Sequence, residues 1–318
     1  MAEVTVVGGG VAGISAACYA AKNGHRVTLI DNHATLGGRL RTIKKDGFIF
    51  DMGPSWYWMP DIFEAFFEDH GFDLNQLIQL HRLDPSYRVF WKEGSAWNMP
   101  AAMTELCALF EKEEKGAGQK LQTFLKDAQA KYEISMGDFV KKPALSFWEF
   151  VNPTSLKFLL SGKLLGSLSK EIDRLFSSEK IKMILEFPVL FLGSTAKDIP
   201  QMYSLMNYAD MGLGTWYPEG GMNQLVQAMQ TVLDQYSIRV ELGTTISGVE
   251  VENGAIAALE TNKGIFQTEK VIWAADYHHF DTKIVPSKFQ SYSNSYWDSR
   301  VLAPSSLLFY IGVNQKVA

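Results

Sequence analysis

Hydrophobic residues at the start of the chain form two short β-branched runs separated by a stretch of helical period. Val4–Val7 is the first run and Arg26–Ile30 is the second. Between them, small and apolar residues recur at helical spacing as far as Asn23-Gly24, where a glycine ends the helix. This pattern predicts a strand, a helix and a second strand, the βαβ unit of a parallel sheet.

The middle of the chain has the period of helices. Apolar residues recur at helical spacing in Asp61–Gly71, Met103–Glu114 and Gln119–Met136. Leu185–Gly193 is almost continuously apolar, which predicts a core segment. From about residue 60 to residue 212 the pattern therefore predicts a mostly helical insertion after the first βαβ unit.

Strand patterns return near residue 213. A helix is predicted over Met222–Tyr236 and a strand over Ile238–Leu242. Asn253-Gly254 between two apolar runs predicts a hairpin with a type I′ turn. Val271–Ala275 has the composition of a buried strand. The second half of the chain thus adds strands to the first unit.

Composition and charge exclude several classes of protein. The 318 residues suit about two domains, and 47% hydrophobic with 20% charged residues excludes disordered, collagen-like and coiled-coil chains. A net charge of −5 disfavours a nucleic-acid partner, which requires a basic field. Cys18 and Cys107 cannot form a disulfide framework, and both are predicted to be small buried thiols. These features predict a cytoplasmic protein.

Membrane contact is predicted at a surface only. Val4–Ala21 is interrupted by glycines and lacks a basic leader, and no run reaches the roughly 18 apolar residues of a spanning helix. Lys141–Lys182, however, carries eight basic and four acidic residues among large apolar ones. This segment predicts peripheral binding to the inner face of the cell membrane, with a buried helix whose lysines snorkel as the alternative.

The loop after the first strand has the chemistry of a dinucleotide site. Gly8 permits a tight turn, Gly10 allows a pyrophosphate to approach the backbone, and Gly13 allows the helix to pack on the sheet. Asp31 ends the second strand eighteen residues after Gly13, where an acid accepts hydrogen bonds from ribose hydroxyls. A glycine turn without a ligand is the alternative. Gly37-Gly38-Arg39 supplies a second glycine pair and a cation to meet the pyrophosphate from the other side.

These residues, with three further motifs, resemble the flavin amine oxidase superfamily, and within it the bacterial phytoene desaturases. The further motifs are Phe50–Ser55, Gly214–Met222 and Ala274–Asp276. The resemblance implies FAD as the cofactor and places the backbone of Ile246 at the adenine. It implies a flavoprotein oxidoreductase of carotenoid biosynthesis that desaturates phytoene or a similar long isoprenoid hydrocarbon by hydride transfer to the flavin.

The chain departs from that family in three ways. Asp31 stands where the family more often has Glu, and Ser55 where it more often has Thr. The family also continues well beyond Ser305–Tyr310, which is expected to be a strand returning to the substrate domain. Its later glycine-rich segment meets the isoalloxazine ring, so this chain is expected to lack the wall of the redox centre. The resemblance assigns no catalytic residue.

The combined expectation is an α/β fold of two interleaved domains. Residues 1–60 and 213–281 are expected to form a discontinuous FAD-binding Rossmann-like domain of a βαβ unit plus a β-meander. Residues 61–212 and 282–318 are expected to form the inserted substrate domain, mostly helical with an added sheet.

Two clusters leave alternatives open. Trp56, Tyr57 and Trp58 are expected to line a tunnel for the apolar substrate, with packing in the core as the alternative. His278 and His279 lie beside acids, but adjacent residues on a strand point to opposite faces. We therefore expect a surface or capping role for the histidines and no metal site.

Other functions on the same fold remain open. A non-catalytic fragment is one alternative, and a flavin-free lipid- or prenyl-binding protein, like the prenyl-protein escort proteins, is another. A carotenoid isomerase is the third. The intact glycine loop, Asp31 and Arg39 favour the flavin enzyme, whereas the expected lack of the family's last segment favours the non-catalytic alternatives.

Overall fold

The computed structural model describes residues 1–143, 145–150, 166–303 and 305–315. Thirteen strands lie within these residues. In chain order they are β1 (Glu3–Val7), β2 (Arg26–Ile30), β3 (Thr42–Lys45), β4 (Phe48–Asp51), β5 (Leu80–Arg82), β6 (Tyr87–Phe90), β7 (Ala96–Met99), β8 (Trp216–Pro218), β9 (Arg239–Glu241), β10 (Ile246–Glu252), β11 (Ala255–Thr261), β12 (Gly264–Gln267) and β13 (Lys270–Trp273).

Seven helices of eight or more residues lie in the same ranges. They are α1 (Val11–Lys22), α2 (Pro60–Asp69), α3 (Met103–Glu113), α4 (Ala117–Ile134), α5 (Leu168–Leu175), α6 (Glu179–Glu186) and α7 (Asn223–Gln235). The shorter α-helices are Leu74–Leu77, Leu205–Asn207, Tyr277–His279 and Asn294–Asp298. The helix and strand ends predicted from the pattern agree with these bounds to within a few residues.

A four-stranded parallel sheet of order β13-β1-β2-β9 carries the glycine loop. Helix α1 connects β1 to β2, and it packs with α7 over the sheet. The apolar positions of these elements, such as Ile14, Leu29 and Val232, are fully buried in one core. The predicted βαβ unit is therefore confirmed, and its carboxyl edge is where ligands bind in open α/β folds.

A three-stranded antiparallel meander of β10, β11 and β12 packs against the ends of β1 and β2. Asn253 and Gly254 join β10 to β11 with φ angles of 51° and 79°. Two consecutive positive φ angles define a type I′ turn, so the predicted hairpin is confirmed.

The stretch between α2 and β8 is mostly helical and has a separate core. Buried residues from α3 to α6, including Phe110, Leu121, Ile172 and Leu185, form this second cluster. Strands β5 and β8 form an antiparallel pair. The pair joins the start of the helical part to the segment that leads back to the first sheet through α7 and β9. Cys18 lies in the first core and Cys107 in the second, both as buried free thiols.

Two apolar runs that were predicted to be buried are partly exposed. Leu185 and Val189 are buried, but Leu190, Phe191 and Leu192 are 58%, 56% and 42% exposed. The reason is that α6 ends at Glu186, and a tighter helical turn over Phe187–Leu192 directs part of the run outward. The core prediction for this segment was wrong beyond Val189.

Strand β13 was also predicted to be buried, and it is not. It pairs with β1 alone among the described strands, and Ile272 is 37% exposed. The expected strand at Ser305–Tyr310 is not formed either, because this stretch makes no ladder with any described strand. Tyr310 instead donates a hydrogen bond from Oη to the Met52 carbonyl oxygen at 2.8 Å.

The membrane prediction concerned Lys141–Lys182. Residues 144 and 151–165 of this segment lie outside the described residues, so peripheral binding stays a prediction. Within the described ranges, no helix has both the length and the apolar character needed to cross a bilayer.

Candidate functional site

A cleft of about 690 Å³ opens at the carboxyl ends of β1, β2 and β13. The helix α1 begins at its floor, and the loop after β2 forms one wall. The lining residues are Val7, Gly8, Gly10, Val11, Ala12, Asp31, Asn32, His33, Gly37, Gly38, Arg39, Leu40, Thr245, Ile246, Trp273, Ala274, Ala275, Asp276 and His279. The structure thus brings together seven of the eight residues predicted for the cofactor, and Gly13 supports them from beneath.

The glycine loop is closed by backbone contacts. Gly8 has a φ angle of 109°, which L-residues rarely adopt. A Cβ atom built on Gly13 lies 1.7 Å from the Gly8 carbonyl oxygen. Only a residue without a side chain fits at position 13, because the obstacle is main chain and cannot rotate away. The predicted packing role of Gly13 agrees with this contact.

Gly10 and Gly38 bring the two glycine loops together. A Cβ on Gly38 would lie 3.0 Å from the Gly10 Cα atom, and the Gly37 N–H donates to the Gly9 carbonyl oxygen at 2.7 Å. A Cβ on Gly10 meets no atom nearer than 3.8 Å, so that position faces open cleft. Both loops therefore expose bare backbone to a ligand lying between them.

The first turn of α1 points free N–H groups at the same space. Its hydrogen-bond ladder begins with the Ile14 N–H donating to the Gly10 carbonyl oxygen at 2.9 Å. The N–H groups of Val11 and Ala12 precede this bond and line the cleft. A helix N-terminus with unpaired donors attracts a phosphate group.

Asp31 is buried, with 8% exposure, and holds the loop by hydrogen bonds. Its Oδ2 accepts from the Gly9 N–H at 2.6 Å, and its Oδ1 accepts from the His33 N–H at 2.7 Å. The His33 ring nitrogen Nδ1 lies 2.9 Å from the same Oδ1. Since a carboxylate offers about four lone-pair positions, acceptor capacity remains for a ribose hydroxyl.

Arg39 is exposed in the cleft and forms no hydrogen bond or ion pair with any residue in the described part of the chain. Its backbone is held by Gly53, on which a Cβ would lie 2.2 Å from the Arg39 carbonyl oxygen. The guanidinium is thus available for an anion, and its planar fork suits a phosphate.

The far wall of the cleft comes from the second half of the chain. Ile246 is buried, with 8% exposure, at the start of β10, and Thr245, Trp273 and His279 lie with it along the wall. Of these four residues, only Ile246 was predicted to contact the cofactor, and that prediction came from the family resemblance. The other three are brought into the cleft by the order of the strands, which no local pattern of residues reports.

His279 lies on a short helix and not on a strand, so the geometric premise for the histidines was wrong. Asp276 precedes this helix, and its Oδ1 accepts from the His279 N–H at 2.6 Å. The described residues contain no group of three or more His, Cys, Asp or Glu side chains suited to a metal ion.

The three aromatic residues after Pro54 separate in the structure. Tyr57 is 1% exposed and packs in the first core, whereas Trp56 lines a second cavity of about 460 Å³. Trp58 stacks on Trp56 at 5.7 Å between ring centroids. We call this cavity the aromatic groove, and its lining residues are Trp56, Tyr87, Arg88, Val89, Phe90, Trp91, Met183, Ile184 and Phe187.

A buried carboxylate lies behind the aromatic groove. Asp210 is 2% exposed, and it accepts hydrogen bonds from Tyr87 Oη at 2.8 Å and Thr215 Oγ1 at 3.0 Å. Trp58 Nε1 in turn donates to Thr215 Oγ1 at 2.8 Å. Desolvation raises the pKa of Asp210 to about 6, although the two hydroxyls oppose the shift. Sequence reasoning missed Asp210, since nothing local marks it as buried.

Replacing Asp210 with asparagine is expected to change how stability depends on pH. The folded pKa of about 6 lies above the ordinary value of 3.8, so the unfolded chain loses this proton first as pH rises. The wild type therefore loses up to about 3 kcal/mol between pH 4 and pH 7, and Asp210→Asn does not. Urea unfolding of both proteins across this range measures the difference. An identical pH profile for the two would contradict the burial of a titrating Asp210.

Comparisons with known proteins identify relatives of this chain. Carotenoid 3,4-desaturase of Haloarcula japonica is 33% identical over 316 residues, which cover 99% of this chain and 64% of that protein. The 4,4'-diapophytoene desaturase of Staphylococcus haemolyticus is 30% identical over 318 residues, with 99% and 64% coverage. This chain therefore spans less than two thirds of the length of these curated relatives.

Solved structures share the fold at low identity. An oxidoreductase from Methanosarcina mazei superposes with a TM-score of 0.58 at 17% identity, covering 93% of this chain and 64% of that one. The family described as flavin containing amine oxidoreductase matches residues 11–298. That range begins at the first residue of α1, after Gly8 and Gly10, and takes in Gly13, Asp31, Arg39 and the far wall of the cleft. The resemblance seen in the sequence is confirmed, and the chain belongs to the flavin-containing amine oxidoreductase family.

Proposed function

We propose that this chain binds FAD in the cleft and belongs to an enzyme that desaturates a long isoprenoid chain. The observation that carries the proposal is the pair of facing glycine loops, with Asp31 on one side and the unpaired Arg39 on the other. Two relatives at 33% and 30% identity are named as desaturases of carotenoids or their precursors, which supports the substrate class.

Different residues of the cleft would bind different parts of the cofactor. The N–H groups at the start of α1, with Gly10, Gly38 and Arg39, would hold the pyrophosphate. Asp31 would accept from ribose hydroxyls, and the Ile246 backbone would meet the adenine. Bound flavin would supply the acceptor for a hydride leaving an allylic carbon.

The apolar substrate would lie in the aromatic groove. Trp56 lines that groove and lies three residues from Gly53, which packs on the backbone of Arg39. Three residues span at most about 11 Å, so the groove begins close to the cleft. Its apolar walls would position the chain and exclude water. The exposed Leu190, Phe191 and Leu192 beside it support delivery of the substrate from a membrane surface.

Flavin retention tests the proposal. The purified protein, loaded with excess FAD and then desalted, is expected to keep a flavin absorption band. Gly10→Val fills the open approach to the backbone and Arg39→Ala removes the free cation, so each should weaken FAD retention about tenfold or more. Arg26→Ala is the matched control, because Arg26 pairs with Glu3 on the surface.

A wild type without a flavin band would overturn the assignment of the cleft. If Arg39→Ala retained FAD as well as Arg26→Ala does, the assignment of Arg39 to the pyrophosphate would be wrong. Conversion of a labelled C30 or C40 polyene precursor, followed by chromatography, tests the substrate class separately from cofactor binding.

A further inference from the structure

Trp56 is the central ring in the wall of the aromatic groove. Tyr87 packs against it at 5.2 Å between ring centroids, and Phe187 meets it edge-on at 5.8 Å. Trp58 stacks on it at 5.7 Å. Trp56, Tyr87 and Phe187 line the groove, so an apolar ligand there would lie against these rings. Because such a ligand is held by many weak contacts with the wall, its affinity depends on where the rings are fixed.

Two of these rings end in polar atoms that are fixed behind the groove. Tyr87 Oη donates a hydrogen bond to Asp210 Oδ2 at 2.8 Å. Trp58 Nε1 donates to Thr215 Oγ1 at 2.8 Å, and Thr215 Oγ1 donates in turn to Asp210 Oδ1 at 3.0 Å. The two oxygens of one carboxylate therefore hold two rings that pack on Trp56, one directly and one through a hydroxyl.

The surroundings of Asp210 are those of a functional residue. Its side chain is 2% exposed and forms no ion pair with any residue that the structure describes. It lies in a π-helical turn, Tyr208–Gly212, a backbone form that is frequent at functional sites. Desolvation raises its pKa to about 6. Because burying a carboxylate is costly, such a group beside a groove is a candidate for a role in ligand binding.

We infer that Asp210 is a positioning residue for the apolar ligand of the aromatic groove. It holds Tyr87 directly and Trp58 through Thr215, and so fixes the rings that pack on either neighbour of the chain's Tyr57 turn. The inference rests on the proposed function, since the groove is the substrate site proposed there. Loss of either hydrogen-bonded arm frees one ring to adopt other rotamers, and binding must then order that ring again.

Two variants cut one arm each and keep the shape of the side chain. Tyr87→Phe removes the direct hydrogen bond, and Thr215→Val removes the relay to Trp58. Affinity for axerophthene, a C20 polyene hydrocarbon, is measured by quenching of tryptophan fluorescence. Each variant is expected to bind it about fivefold more weakly, roughly the factor that one hydrogen bond contributes, and to retain FAD as the wild type does.

Rescue and a matched control separate positioning from a general loss of packing. Thr215→Ser keeps the hydroxyl, so it should bind axerophthene with wild-type affinity. Tyr132→Phe is the control, because Tyr132 is buried outside the groove and its Oη donates to Asp61 at 2.9 Å. This variant also loses a tyrosine hydroxyl that donates to a carboxylate, and its affinity for axerophthene should not change.

Two further measurements test whether the arms act through Asp210. The circular dichroism of the stacked Trp56–Trp58 pair, recorded without ligand, should fall in Thr215→Val and not in Thr215→Ser. Asp210→Ala cuts both arms at once. Adding Tyr87→Phe to Asp210→Ala should therefore weaken the binding of axerophthene no further.

Wild-type affinity in either Tyr87→Phe or Thr215→Val overturns the inference and leaves the proposed function standing. A further loss of affinity when Tyr87→Phe is added to Asp210→Ala also overturns it, because the hydroxyl would then act without the carboxylate. If axerophthene does not bind to a wild type that retains FAD, the groove is removed from the proposed function, and the inference falls with it.

Discussion

Replacing Gly13 with alanine is expected to abolish FAD retention and to destabilise the protein by about 3 kcal/mol or more. A Cβ at this position lies 1.7 Å from the Gly8 carbonyl oxygen, a backbone atom that can move only if the turn opens. Opening the turn displaces the first N–H groups of α1 from the cleft. Chemical unfolding and FAD retention, measured on the same preparation, check both effects.

Gly24→Ala is the control for a glycine that has only a conformational role. Gly24 has a φ angle of 81°, but a Cβ there meets no atom within 4 Å. Alanine should cost about 1 kcal/mol from its backbone preference and leave FAD retention unchanged. If Gly13→Ala lost no more stability than Gly24→Ala and retained FAD equally well, the close contact between α1 and the Gly8 turn would be contradicted.

Replacing Lys131 with methionine is expected to lower the free energy of unfolding by about 3 kcal/mol, because it leaves two partly buried carboxylates without their cation. The Lys131 side chain is fully buried, and its Nζ lies 3.0 Å from Asp127 and 3.3 Å from Glu171. It also donates to Ser204 Oγ at 2.9 Å. Helix α4 is therefore pinned to α5 through one ammonium group. Urea unfolding at pH 7.5 measures the loss.

The stability lost in Lys131→Met should increase with pH. Burial raises the pKa of Glu171 even with Lys131 present, and removing the cation raises it further. A raised folded pKa makes ionisation unfavourable, so the cost of Lys131→Met should be larger at pH 8 than at pH 5. Lys126→Met on the exposed side of α4 is the control, with a change within about 0.5 kcal/mol. A cost below about 1 kcal/mol for Lys131→Met would contradict a buried charge cluster.

The cleft lined by the two glycine loops could be predicted from the sequence to a large extent, because its central parts are local. A β-branched strand, a glycine turn and a small-residue helix follow one another without a break, and backbone sterics dictate their geometry. The position of Asp31 at the end of β2 could be predicted from the length of that unit. His33 carried a signal that was missed, since an acid commonly accepts from the N–H two residues later.

The second site could not be predicted in this way. The residues that line the aromatic groove come from three separate segments, which contribute Trp56, residues 87–91 and residues 183–187. Asp210 is buried, and its hydrogen bond from Tyr87 comes from a residue 123 positions away in the sequence. The aromatic triplet Trp56–Trp58 is an example. Tyr57 packs in the first core, whereas its neighbour Trp56 lines the aromatic groove.

By itself the sequence determined the βαβ unit, the glycine turn and the hairpin at Asn253-Gly254, because each depends on backbone conformation or on spacing within a short stretch. The order of motifs along the chain indicated the family by resemblance. Only the tertiary structure decided which apolar surfaces are covered. Leu190–Leu192 and Ile272 are as hydrophobic as core residues, yet they are exposed where a helix ends or a strand has one neighbour. Burial and charge compensation depend on packing between distant segments, which residue patterns along the chain do not specify.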